Sequence, residues 1–99
     1  MKTIYKYVIN DTAVVAGYQN VKPLLLPVGS KILCCKLQHN KDICVWVELD
    51  PSIEEKEEFT FVLFGTGWPM HDLTDATYEY IDTIMFDDGA FVYHVYRIK

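Results

Sequence analysis

The pattern of apolar and polar positions along the chain is that of short β-strands. Apolar residues alternate with polar ones, or form short runs between turn residues, as they do in half-buried and buried strands. Residues 2–9 predict a first strand in which Ile4 and Val8 share one side. Tyr5 and Tyr7 share the other side.

The two segments that follow are less regular. Residues 10–20 contain turn signals and are compatible with either an irregular loop or a strand extension through residues 13–15. Residues 21–27 look extended, but Pro23 and Pro27 have no N–H group to donate to a neighbouring strand. We therefore expect this segment at the edge of a sheet.

The clearest hairpin joins residues 31–38 to residues 42–49. A two-residue loop would set Ile43 and Val45 against polar partners, whereas a three-residue loop gathers apolar side chains on one face. We therefore predict the three-residue loop. It gives the pairs Leu37–Ile43, Cys35–Val45 and Leu33–Val47.

A second hairpin joins residues 78–86 to residues 91–98. Its turn signal is Asp88-Gly89, which favours a two-residue turn. That register gives the pairs Phe86–Phe91 and Thr83–His94. Large side chains fall on both faces: Phe86, Ile84 and Tyr93 on one, and Met85, Val92, Ile81 and Tyr96 on the other. The second face must be covered by the other sheet, by a loop or by another subunit.

An acidic run, residues 54–58, leads into the apolar residues 59–64. We interpret it as the solvated start of a strand, because carboxylates without regular spacing lack the geometry of a metal cage. Residues 70–77 are polar and irregular, with room for one helical turn capped by Asp72 or Thr74.

These elements sum to about six or seven strands, with no repeat or linker dividing them. Short strands at regular spacing predict an all-β fold, either an antiparallel β-sandwich or a partly open barrel. The chain has 99 residues, of which 51% are hydrophobic, enough for one modest core. We therefore predict a single β domain over residues 1–99.

The charge balance narrows the classes of partner. The formal net charge is −5, so the backbone of a long nucleic acid would be repelled. No stretch approaches the roughly 18 apolar residues of a membrane helix, and the first residues do not resemble a signal peptide. The sequence thus predicts that the protein binds neither long nucleic acids nor membranes. It also predicts that the protein acts in the cytoplasm.

Three cysteines, Cys34, Cys35 and Cys44, are an odd number in a chain without an export signal. Reduced thiols are expected for such a chain. The predicted hairpin also makes Cys34 and Cys44 diagonal neighbours at about 7–8 Å, which is too far for an unstrained disulfide.

The residue types that usually carry catalysis are scattered. His39 lies in a hairpin turn, His71 in a polar loop and His94 alone on a strand, and their spacing fits no metal motif. Ser30 and Ser52 lie in turns without the sequence context of a nucleophile. The sequence therefore indicates no metal site, no cofactor and no enzyme active site.

The strongest candidate for a binding site is the loop Gly65-Thr66-Gly67-Trp68-Pro69. Glycines allow backbone N–H groups to turn toward a ligand, and the indole offers a flat stacking surface. We predict a ligand site made of Gly65, Thr66, Gly67 and Trp68, with Trp46, Tyr93 and Arg97 as secondary members. The alternative is a tight strand-ending turn whose Trp68 packs over the sheet and whose Pro69 fixes the exit.

The chain resembles a group of small proteins encoded by tailed bacteriophages. The matching stretches are residues 1–7 (MKTIYKY), 29–33 (GSKIL), 45–51 (VWVELDP), 64–69 (FGTGWP), 80–83 (YIDT) and 91–95 (FVYHV). Members of this group commonly have histidine before the proline of the glycine loop, where this chain has Trp68. A histidine-dependent role is therefore not expected at this position. The resemblance implies an origin rather than a mechanism.

A phage origin implies action in the host cytoplasm, where small acidic phage proteins often counter host defence. One expectation is a non-enzymatic binder that sequesters a nucleotide immune signal, with pockets completed between the subunits of a homo-oligomer. The alternative is an acidic interaction module that binds and inhibits a host protein, or a small accessory protein of the virion.

Overall fold

The computed structural model describes residues 1–15, 18–70 and 78–98. These residues form eight strands: β1 (Thr3–Val8), β2 (Ala13–Val15), β3 (Tyr18–Pro27), β4 (Lys31–Gln38), β5 (Asp42–Leu49), β6 (Lys56–Gly65), β7 (Tyr78–Phe86) and β8 (Phe91–Ile98). A short 3-10 turn, Asp87–Gly89, connects β7 to β8. The predictions for His71, Asp72 and Thr74 lie outside the described residues.

The strands form two antiparallel sheets packed against each other, so the predicted all-β fold is confirmed. One sheet has the order β1-β5-β4 and the other the order β2-β3-β6-β8-β7. The strand that exceeds the six or seven predicted is β2, which lies in the segment that the sequence left undecided between loop and strand. None of the described residues belongs to a helix that is long and apolar enough to cross a membrane.

The main core lies between the two sheets and follows from period-two alternation. On β5 the inward side chains are Ile43, Val45, Val47 and Leu49, and on β6 they are Phe59, Phe61 and Leu63. Each of these residues is at most 5% exposed. Burial of their apolar surface is the principal stabilising term of such a fold.

A second apolar cluster covers the outer face of the five-stranded sheet. It contains Val21, Val62 and Phe64, with Tyr78, Tyr96 and Ile98 packed against it. The Phe64 ring meets the Tyr96 ring edge-on, with 5.8 Å between centroids. The second face of the last hairpin is therefore partly covered by side chains of its own sheet, while Met85 remains 61% exposed.

The hairpin of β4 and β5 has the predicted three-residue loop. Leu37 faces Ile43 and Cys35 faces Val45, as expected. The predicted pair Leu33–Val47 is wrong: the register shifts between Ile32 and Cys34, so Val47 faces Ile32. This β-bulge turns Leu33 outward, where it is 42% exposed, and brings Ile32 against the core.

The last hairpin pairs Phe86 with Phe91 and Thr83 with His94, as predicted. The dihedral angles of Asp88 (φ 54°, ψ 32°) and the φ of 91° at Gly89 are those of a type I′ turn. The predicted face of Ile81 is wrong. A register shift between Tyr80 and Asp82 places its side chain against the main core rather than on the outer face.

The edge strand β1 and the partly uncovered strand β3 differ in how they are protected. Residues 21–27 of β3 pair with β6, and β2 covers only the start of β3, so Pro23 and Pro27 lie on an edge as predicted. β1 contains no proline and pairs regularly with β5 over Thr3–Val8. Its second edge is unpaired among the described strands.

All three cysteines are reduced. Cys35 is 1% exposed, and burial, followed by the nearby charge of Asp82, raises the pKa of its thiol from 9.0 to about 12. Burial also raises the pKa of the Cys44 thiol. The predicted absence of a disulfide is confirmed, but these two buried thiols do not titrate as freely as exposed ones would.

This shift predicts that the protein loses stability in alkaline solution. The folded-state pKa of Cys35 lies above the unfolded-state value, so the thiol of the unfolded chain ionises first as the pH rises. The contribution of Cys35 to the free energy of unfolding is therefore complete below pH 9 and disappears as the pH rises toward 12. Urea unfolding at about pH 7 and about pH 10.5 should show a smaller loss in Cys35→Val than in wild type. Cys34→Val, at a partly exposed site, should retain the wild-type loss.

Candidate functional site

The glycine loop is a tight turn at the end of β6. The Trp68 N–H donates to the Gly65 carbonyl oxygen at 3.0 Å, and the φ of 86° at Gly67 is that of the third residue of a type II turn. The Thr66 N–H donates to the Val92 carbonyl oxygen at 3.3 Å, which ties the turn to β8. The Gly67 N–H has no acceptor within the described part of the chain.

The turn folds the indole of Trp68 back over Gly65. A Cβ atom built on Gly65 would lie 2.5 Å from Cε2 of the indole, so only glycine leaves room for this ring position. The ring also meets the edge of Tyr93, with 5.8 Å between centroids and 81° between planes. Trp68 nevertheless remains 46% exposed. The ring is therefore held on one side and accessible on the other.

The indole forms part of the wall of a cleft of about 360 Å³ at one end of the sandwich. Tyr93 continues this wall and meets Phe86 edge-on at 5.8 Å, so three aromatic rings stand in a row. Phe91, 57% exposed, also lines the cleft. The volume of the cleft falls within the range of small-molecule sites. The complete lining is Asn10, Thr12, Asn20, Ile43, Leu63, Trp68, Phe86, Asp87, Phe91 and Tyr93.

The polar part of the lining is fixed by contacts between loops. Asn10 donates from Nδ2 to the Lys41 carbonyl oxygen at 2.9 Å and accepts from the Ile43 N–H at 3.3 Å. Asp87 accepts a hydrogen bond at Oδ1 from Nδ2 of Asn40 at 2.9 Å. The side-chain amide of Asn20 has no partner among the described residues, which leaves both its donor and its acceptor available to a ligand.

A chain of four polar side chains lies beside the loop on the outer face of the same sheet. Thr66 Oγ1 lies 2.8 Å from His94 Nε2, and His94 Nδ1 lies 3.0 Å from Thr83 Oγ1. Thr83 Oγ1 is in turn 2.6 Å from the Tyr80 hydroxyl. The prediction that His94 stands alone is wrong, because the pairing of β6 with β8 sets His94 opposite Phe64 and within reach of Thr66.

These contacts connect the loop to two strands. The bond from Thr66 to His94 holds the turn on β8, and the bond from His94 to Thr83 continues to β7. The sequence did contain one signal for this chain, namely the predicted pair Thr83–His94. It contained no signal for the approach of Thr66.

A family model described as "Domain of unknown function (DUF7352)" matches residues 1–99. The chain belongs to the DUF7352 family. No curated protein matches this chain, and no solved structure matches it.

In this DUF7352 protein, the structure brings together some of the predicted ligand residues and separates others. Gly65, Thr66, Gly67 and Trp68 form the turn, and Tyr93 contacts the indole of Trp68. Tyr93 was predicted as a secondary member, and the structure makes it part of the same aromatic wall. The cleft residues that the sequence did not indicate are Asn10, Thr12, Asn20, Phe86, Asp87 and Phe91.

Trp46 and Arg97 do not join the cleft. Trp46 lies on β5 in the other sheet, where it pairs with Lys6 and Cys34. Arg97 is four residues from Tyr93 along β8, a distance of about 13 Å along an extended strand. Its guanidinium lies over the Phe59 ring, 3.7 Å from the ring centroid. Arg97 therefore packs at the sheet as a cation–π partner rather than beside the loop.

No group of three metal-binding side chains occurs in the described ranges 1–15, 18–70 and 78–98. The cleft itself presents an aromatic row, two amides, a hydroxyl and a carboxylate. Such a set can stack a planar ring and form hydrogen bonds with its edge.

Proposed function

We propose that this protein is a non-enzymatic binder of a small planar molecule of the nucleobase type. The observation that carries the proposal is the position of Trp68, which is fixed against Gly65 and Tyr93 and still 46% exposed beside a cleft. A ring that served only to plug the end of the sandwich would be buried. A fixed and half-exposed indole loses little conformational entropy when a ligand stacks on it.

The resemblance to small phage proteins supports a biological form of this proposal. A phage protein that holds a nucleotide immune signal in the host cytoplasm would need stacking and hydrogen bonds but no nucleophile. The cleft offers both kinds of contact, through its aromatic row and through the Asn20 amide. A homo-oligomer, as expected from the sequence, would add surface around the same opening.

The test of the proposal is a thermal-shift screen with nucleosides and with linear and cyclic nucleotides. A ligand at 100 times its dissociation constant stabilises a protein by about 2.7 kcal/mol, which is readily detected. We expect Trp68→Ala to abolish the shift while the free energy of unfolding falls by no more than about 1–2 kcal/mol, because the half-exposed ring contacts mainly Gly65 and Tyr93.

The matched control is Trp46→Ala, which removes the same ring from the other sheet. This variant should fold less stably but keep the ligand-induced shift. A screen in which no compound moves the wild-type melting temperature would contradict the proposal.

A second candidate function is a protein-interaction module, favoured by the open edge of β1. Ile4 and Tyr5 on this strand are 55% and 46% exposed, and the strand has a regular register without proline. An extended segment of a host or virion protein could add to such an edge by main-chain hydrogen bonds. Under this candidate no nucleotide shifts the melting temperature, and the partner is recovered from a host lysate.

A further inference from the structure

We infer that the cleft recognises its ligand through an uncharged or cationic ring, that it selects nucleosides over their phosphorylated forms, and that Asp87 sets this selection. The inference rests on the proposed function as a binder of nucleobase-type molecules, and it argues against a phosphorylated signal as the preferred ligand. It follows from the charges around the cleft, from the geometry of Asp87 and from the position of the aromatic row.

The lining residues of the cleft that the structure describes include a negatively charged side chain and no positively charged one. Asp87 is the charged residue of this described lining, which includes neither lysine nor arginine. Arg97, which the sequence predicted as a secondary member of the site, lies over the Phe59 ring.

Asp87 is held in place rather than mobile. Its backbone N–H donates to Asn40 Oδ1 at 3.3 Å while its own Oδ1 accepts from Asn40 Nδ2 at 2.9 Å. This reciprocal pair joins the β4–β5 loop to the β7–β8 turn. The second carboxylate oxygen, Oδ2, has no partner among the described residues. An ionised carboxylate only accepts hydrogen bonds, so it favours ligand N–H groups and repels phosphate oxygens.

The aromatic row determines which part of a ligand lies near this charge. Trp68, Tyr93 and Phe86 line the same cleft as Asp87, so a base stacked on them shares the cleft with the carboxylate. A phosphate attached to that ligand remains within about a Debye length of Asp87 and interacts with it unfavourably. A nucleotide would then be held by its base, and its phosphates would weaken binding.

The test is titration calorimetry at low salt with guanosine, adenosine and their 5′-monophosphates. We expect each nucleoside to bind wild type about five-fold more tightly than its monophosphate, since one fixed charge near a dianion gives an effect of this order. Asp87→Asn should bring the ratio close to one. Asparagine tolerates the positive φ of this position, 48°, and retains an oxygen for Asn40.

The control is Glu57→Gln, which removes one exposed carboxylate from β6, where Glu57 pairs with Leu26 of β3. It changes the net charge equally and should leave the nucleoside-to-monophosphate ratio at the wild-type value. If the monophosphates bind wild type more tightly, or if Asp87→Asn leaves the ratio unchanged, the inference is overturned and the proposed function stands. If none of the four compounds binds, the inference is overturned, and the proposed function is overturned with it when the wider thermal-shift screen also finds no ligand.

Discussion

Replacing Gly65 by alanine is expected to remove the indole of Trp68 from the cleft wall and to weaken ligand binding at least about ten-fold. The new Cβ would lie 2.5 Å from Cε2 and 2.8 Å from Nε1 of the indole, closer than real carbon contacts allow. Gly65 does not have a positive φ, so alanine fits the backbone and the clash falls on the side chain. Trp68 is half-exposed and can therefore move into solvent.

The loss of stability should leave the Gly65→Ala variant folded. The displaced ring gives up its contacts with residue 65 and with Tyr93, and we expect the free energy of unfolding to fall by about 1–2 kcal/mol. Acrylamide quenching of tryptophan fluorescence reports the ring directly. The measurement is made in a Trp46→Phe background, so that Trp68 is the only indole in the chain.

Gly67→Ala is the matched control for this prediction. Gly67 has a φ of 86°, and no atom lies within 4 Å of a Cβ built on it. Alanine there strains the backbone of the turn but does not collide with the indole. Quenching should therefore increase in Gly65→Ala and change little in Gly67→Ala. Equal quenching of Gly65→Ala and wild type would show that the ring tolerates the methyl group where it stands.

How much of this fold could be predicted from the sequence depended on whether the contacts were local. The loop of the β4–β5 hairpin and the type I′ turn at Asp88-Gly89 follow from residues close together in the chain. The bulge at Leu33 and the one beside Ile81 do not, because they adjust each strand to the other sheet. Each bulge turned one apolar side chain to the face opposite to the predicted one.

The candidate site shows the same limit. The glycine turn was recognisable from its own five residues, whereas its surroundings depend on the pairing of β6 with β8, which are about 30 residues apart. That pairing brings Tyr93 to Trp68 and His94 to Thr66. Trp46 was assigned to the site because aromatic residues are suited to stacking. Nothing in the sequence showed that β5 belongs to the other sheet.

Replacing Phe61 by alanine is expected to cause the largest loss of stability of the variants considered. Phe61 is fully buried on β6, the central strand of the five-stranded sheet, and its side chain belongs to the core between the sheets. Truncation of a buried phenylalanine costs about 3–5 kcal/mol, because apolar contacts are lost and a cavity remains. The total free energy of unfolding of such a domain is about 5–15 kcal/mol.

Phe91→Ala is the variant that distinguishes a loss of stability from a loss of ligand binding, because Phe91 is 57% exposed and lines the cleft. Urea unfolding followed by circular dichroism should show a loss below about 1 kcal/mol for Phe91→Ala and the full loss for Phe61→Ala. Ligand binding, measured at temperatures well below the unfolding transition, should be weakened more by Phe91→Ala than by Phe61→Ala. Phe61→Ala is still folded under these conditions, whereas Phe91→Ala lacks part of the aromatic wall. If both variants lose binding only in proportion to stability, the cleft has no role beyond that of a packed end of the sandwich.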